Sequence, residues 1–234
     1  MGEEKIINLE CQYSSWRGEN ENGIMILGES HYDKQEDGTY ANVGKPVLDG
    51  ADKVVKDYLK HCEPGGEKAG WDRFFSRIAD TFGYEKSADK KIFYEKVWFR
   101  NYITHFCGVN DSAAQNLAEK HRIYYNNVLF SLINEKNIRI IVCFSKLAYW
   151  KLPNAHESDR LSARTLSKQM LKGRRNVINV YEYLPGVEHG YCDIELNQPL
   201  TVYGIRHPSS RGGYCAKDVH DMLIEEDKLK ELFL

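Results

Sequence analysis

Three short apolar runs constrain this chain more than any other feature. Ile24 to Leu27 lies between Gly23 and Gly28, Ile138 to Phe144 is the clearest of the three, and Leu200 to Ile205 ends at Arg206-His207-Pro208. Runs of this length bounded by turn signals read as buried strands. Val97 to Tyr102 and Val177 to Tyr183 read as further strands. Helical spacing falls between them. Val47, Ala51, Val54, Val55, Tyr58 and Leu59 mark a helix over 47–60, stopped by Glu63-Pro64-Gly65-Gly66. Asp72 to Phe82 is a second, and a short one lies around Lys91. Ser112 caps a fourth that runs to about Asn134. Another begins at Ser145 and stops before Pro153, and Val219 to Phe233 is the last. Strands alternating with helices predict an α/β fold: a three-layer α/β/α domain with a central, mostly parallel sheet. Residues 1–234 read as a single domain, with 154–199 as a candidate irregular insertion. Its first part, to 175, is polar and basic. Its last part holds Pro185-Gly186, Gly190 and Pro199.

A chain of 234 residues buries a core large enough to fold without disulfides or a metal. No stretch approaches the run of about 20 apolar residues a membrane span requires. Met1 to Glu10 is polar and acidic and carries no signal-peptide pattern. The six cysteines are scattered with no Cys-x-x-Cys pair, the usage of reduced thiols in a cytoplasmic protein. Among the eight histidines no His-x-x-x-His pair occurs, and His189 with Cys192 is isolated, so no zinc site is expected. No Walker loop, dinucleotide fingerprint or Gly-x-Ser-x-Gly elbow is present, and no cofactor is expected. The net charge of −2 confines any nucleic-acid contact to local basic clusters: Lys172-Gly173-Arg174-Arg175, and Arg206 with Arg211.

In a parallel sheet covered on both faces, ligands sit outside the carboxyl ends of the strands. Three segments occupy such places. Gly28-Glu29-Ser30-His31-Tyr32-Asp33 follows the first strand, Asn101-Tyr102-Ile103-Thr104 follows a middle one, and His207-Pro208-Ser209-Ser210 follows the last, leading into Arg211-Gly212-Gly213. Together and in this order they resemble the uracil-DNA glycosylase superfamily. In one branch of that family the first loop reads Gly-Gln-Asp-Pro-Tyr-His, similar in frame to Gly28 to Asp33. In the iron-sulfur branch it opens Gly-Glu, as Gly28-Glu29 does. A middle strand ends in a base-reading Asn followed by a short apolar stretch and Thr, which Asn101 to Thr104 resembles. The last strand ends in His-Pro-Ser, matched by His207-Pro208-Ser209. The chain departs from the first branch where Ser30 replaces the catalytic Asp, His31 the Pro and Asp33 the final His. It has no cysteine spacing for an iron-sulfur cluster, and none is expected.

The resemblance implies a monofunctional DNA glycosylase or related N-glycosidic hydrolase that removes uracil or another deaminated base from DNA, acting as a monomer. His207 suits the donor toward the departing base, whose negative charge grows in the transition state. Asn101 offers a donor and an acceptor to the edge of a flipped pyrimidine. Tyr32 would wall the pocket against a 5-methyl group. Glu29 or Asp33 would act as general base, or Ser30 would position a water at a lower rate. Gly28 and Pro208 would belong to the substrate site, and the loop of Ser209, Ser210, Arg211, Gly212 and Gly213 would hold phosphates through backbone N–H groups and a charged side chain. Two other readings compete. One is a non-catalytic module of the same fold that binds a nucleobase, nucleotide or nucleic-acid end, with Ser30 marking lost chemistry. The other is an unrelated α/β enzyme, in which His207 would point away from Gly28.

Overall fold

In the computed structural model, residues 15–18, 22–47, 50–108, 111–153, 164–169, 175–210 and 213–234 are described. In chain order the elements are β1 (Ile24–Gly28), β2 (His31–Tyr32), α1 (Gly50–His61), α2 (Asp72–Thr81), α3 (Ser87–Glu95), β3 (Trp98–Asn101), β4 (Phe106–Cys107), α4 (Asp111–Lys120), α5 (Arg122–Glu135), β5 (Ile140–Cys143), α6 (Lys146–Lys151), β6 (Arg164–Gln169), β7 (Arg175–Tyr183), β8 (Leu200–Gly204), α7 (Ala216–Leu223) and a 3-10 helix, Asp227–Leu232.

The main sheet has six strands in the order β3-β1-β5-β8-β7-β6. β3, β1, β5 and β8 run parallel, so their carboxyl ends share one edge. β1 lies inside and is buried at all five positions, as its unbroken apolar run predicts. Its alternate residues point to opposite faces. Met25 and Leu27 join Ile141, Cys143 and Val202 under α4, α5 and α6. Ile24 and Ile26 join Phe99, Val142 and Tyr203 under α1, α2, α3 and α7. Burying an aliphatic side chain of this size contributes about 1.5–3 kcal/mol. The result is a mostly parallel α/β sheet with helices on both faces.

Within 154–199 the described residues include two strands, one of them over the expected Val177 to Tyr183. β6 and β7 form an antiparallel hairpin, and β7 pairs antiparallel with β8, extending the sheet at one edge. Residues 184–199 do lack strands and helices apart from one isolated bridge, His189 to Cys192. Three helices also differ from their periodicity. Val47 precedes α1, and its N–H bonds Thr104 O instead of starting a turn. The helix expected from Ser112 starts at Asp111, so Ser112 is not its cap, and it breaks at His121, whose backbone (φ −115°, ψ 24°) leaves the helical region. The break lets the His121 ring lie parallel to His105, with centroids 5.6 Å apart. The final helix stops at Leu223 and resumes as the 3-10 turn, whose tighter pitch brings both Leu229 and Leu232 into the core.

The described cysteines, Cys62, Cys107, Cys143, Cys192 and Cys215, are free thiols. Among the described residues no helix is long and apolar enough to cross a membrane.

Candidate functional site

Registry brings the first two loops together. Gly28 pairs with Asn101 across β1 and β3, and both strands end there. A Cβ at Gly28 would lie 2.1 Å from Asn101 Oδ1, so only glycine lets the Asn101 amide seat against the strand end. Asn101 is buried at 8% exposure. Its Nδ2 donates to Ser30 O at 3.0 Å and lies 3.3 Å from both ring nitrogens of His31. The amide thus clamps the Gly28–His31 turn. The residues after it close a second tie, because β2 pairs with β4 and the Tyr102 and Ile103 N–H groups donate to Gly28 O and Glu29 O.

His31 fills the space beneath this turn. A Cβ at Gly50, the first residue of α1, would lie 2.9 Å from its ring. Burial, then the nearby charge of Arg100, lower its pKa to about 3. His31 is therefore neutral at physiological pH and serves as packing under the loop. Arg100 itself is buried at 1% exposure.

Among the acidic and hydroxyl groups of the turn, Glu29 is the one turned toward the next strand. Its Oε2 accepts from Ser145 Oγ at 2.6 Å. The same Ser145 hydroxyl caps α6 by accepting from Ala148 N at 3.1 Å. Ser30 Oγ is enclosed, with no hydrogen-bond partner of normal geometry, and it faces the Cys107 thiol. That enclosure takes Ser30 away from the role of positioning a water. Asp33 is spent on its own loop, where Oδ1 accepts from Gln35 Nε2 and Oδ2 from Asn42 Nδ2, both at 2.8 Å. Tyr32 is 46% exposed and meets Tyr40 edge-on at 6.2 Å. The thiols nearby are inert, since burial raises Cys107 to about 11 and Cys143 to about 12.

The third loop reaches the first through aromatic rings. Phe99 Cζ lies 3.3 Å from where a Gly28 Cβ would be. Phe74 of α2 packs edge-on against Phe99, with centroids 6.3 Å apart, and His207 stacks on Phe74 at 4.9 Å and 24°. The Ser209 N–H donates to His207 Nδ1 at 3.2 Å, so the neutral ring carries its proton on Nε2. Ser210 N donates to His207 O at 3.0 Å, and the Arg77 guanidinium holds Pro208 O. Pro208 is buried and Ser209 exposed. Arg211 and Lys172 to Arg174 lie outside the described residues.

Lys146 at the head of α6 was not singled out in the sequence. Its Nζ donates to Gly204 O, the last carbonyl of β8, at 2.7 Å and to Asn179 Oδ1 of β7. Burial, with Arg206 adding and Cys143 opposing, lowers its pKa to about 8. The available signal was its position, the second residue past the clearest strand run. Phe74 and Phe99 were visible only as core aromatics of a helix and a strand.

The edge therefore carries a carboxylate, an imidazole N–H donor, an amine of lowered basicity and an aromatic floor. Among the described residues no group of three or more His, Cys, Asp or Glu is placed to hold a metal ion. Compared with models of known families, with curated proteins and with solved structures, the chain finds no match in any of the three.

Proposed function

We propose that this chain is a uracil-DNA glycosylase-like N-glycosidic hydrolase that removes uracil or another deaminated base from DNA. One observation carries the reading. His207, held as the Nε2–H tautomer by the Ser209 amide, stands on an aromatic ladder that ends at Gly28, and the next residue, Glu29, supplies a carboxylate. Breaking the glycosidic bond puts negative charge on the base and positive charge on the sugar. A fixed N–H donor answers the first and a carboxylate the second, each strengthening as charge develops. Of the three candidates for general base or water-positioning group, Glu29 fits best, because Ser30 Oγ is enclosed and both Asp33 oxygens serve the loop. Ser209, Ser210, Arg206 and Arg77 are the groups to meet phosphates.

A second reading is a binding module of the same architecture, acting on a nucleobase or a nucleic-acid end without cleavage. It is favoured by Asn101, whose amide nitrogen is already bonded to Ser30 O. Reading a flipped base through that nitrogen requires the turn to give it up.

One experiment separates the two. Single- and double-stranded oligonucleotides carrying uracil, hypoxanthine or xanthine are incubated with the parent protein and with Glu29→Gln, Asn101→Ala and His207→Ala, then treated with alkali. The hydrolase reading expects strand scission by the parent and a loss of about 100-fold or more in the Glu29 and His207 variants. Scission absent throughout, with tight binding of the same oligonucleotides, establishes the module.

A further inference from the structure

Lys146 is the least conventional cation on this edge. Its amine is held by two neutral acceptors, a main-chain carbonyl and an amide oxygen, and among the described residues it has no carboxylate partner. The comparison within the chain is Lys90, which is buried and paired with Asp80. Lys146 is instead placed near a second cation, Arg206, and against the rings of Tyr149 and Trp150, 5.5 and 5.9 Å from their centroids. A lysine partly desolvated and placed beside another cation loses its proton more easily, and a neutral amine is a nucleophile. The side chain remains partly exposed, so it is open to a reactant. Its chain neighbour Ser145 holds the carboxylate of Glu29.

We propose that Lys146 is an amine nucleophile that forms an imine with an aldehyde, and that the aldehyde is the ring-opened sugar of an abasic site. The inference rests on the function proposed above, whose hydrolysis leaves such a sugar. The Nζ lone pair adds to C1′, one water leaves, and a protonated imine forms. Glu29 then takes a proton from C2′, the electron pair of that C–H bond forms the C1′=C2′ double bond of an enamine, and that pair in turn expels the 3′ phosphate. Water hydrolyses the resulting unsaturated imine and returns the amine. No oxidant or reductant takes part. Depression of the Lys146 pKa to about 8 keeps an appreciable share of the amine neutral near physiological pH.

The test supplies the abasic site ready-made, so it does not depend on base removal. The full chain is incubated with an oligonucleotide carrying one abasic site in the presence of cyanoborohydride, and the adduct is located by peptide mass. Expected is a covalent adduct on Lys146 with the parent, lost at least 20-fold in Lys146→Arg, which keeps the charge but cannot form the imine. Binding of the same oligonucleotide to Lys146→Arg should stay within about threefold, and its melting curve should show it folded. Lys146→Met serves as the second variant if the arginine does not fit. No adduct with the parent, or an adduct that persists in both variants or maps to another residue, overturns the proposal. Base release without a trapped imine sinks this inference alone. A trapped imine without base release sinks the hydrolase reading alone.

Discussion

Asn101 has a structural duty that its position in the sequence does not suggest. It reads as a base-recognition residue because it ends a strand and precedes an apolar pair and a threonine. In the structure its amide holds the Gly28 turn closed, with Ser30 O and His31 as partners. Neither partner could be assigned from the sequence, because contact between strand ends depends on register. His31 carries a testable consequence. Unfolded, its imidazole binds a proton near 6.5; folded, only near about 3. Between these values the unfolded chain holds more protons, so stability is complete above pH 6.5 and falls as pH drops toward 3. His105, lowered to about 4 by burial and by His121, acts in the same direction. Urea unfolding from pH 7 to 4 is expected to lose about 1 kcal/mol or more per pH unit, the scale of one displaced proton. A flat profile would show that His31 is solvated.

At the level of elements, Ser145 joins a helix to the site. The sequence marks it as the start of a helix after a strand, and it is the N-cap of α6. Its second bond, to Glu29, was not legible, because the two residues are 116 positions apart. Ser145→Ala removes both bonds. Expected is a loss of about 1 kcal/mol in unfolding free energy, the usual value of an N-cap. If Glu29 acts as proposed, base release should fall further than this loss of stability explains. The single helix expected from Ser112 to Asn134 shows the opposite failure. Its apolar positions continue smoothly past His121, so no local signal marks the break. The break goes with tertiary packing of His121 against His105.

For the whole molecule, if the chain acts on DNA as proposed, the net charge of −2 and the local cations set how binding depends on salt. With few phosphate contacts, affinity should depend on salt modestly, with a slope of log K on log salt of about −3 for three or four contacts. Arg206 is exposed beside the last loop, and Arg206→Ala should reduce that slope by about 1 without changing base preference. A slope near zero would remove the phosphates from the interface. The layers follow from the pattern of residues along the chain. Unbroken apolar runs can be satisfied only inside a sheet covered on both faces, and amphipathic segments between them supply the cover. The same pattern sets which loops gather at one edge, because parallel strands put their carboxyl ends together. Which groups in those loops face one another is set by the folded arrangement. Glu29 turns to Ser145, Ser30 is enclosed against Cys107, Asp33 is held in its own loop, and Lys146 crosses to β8 and β7. Each of those outcomes depends on register and side-chain packing between residues distant in the chain, and local composition carries no record of either.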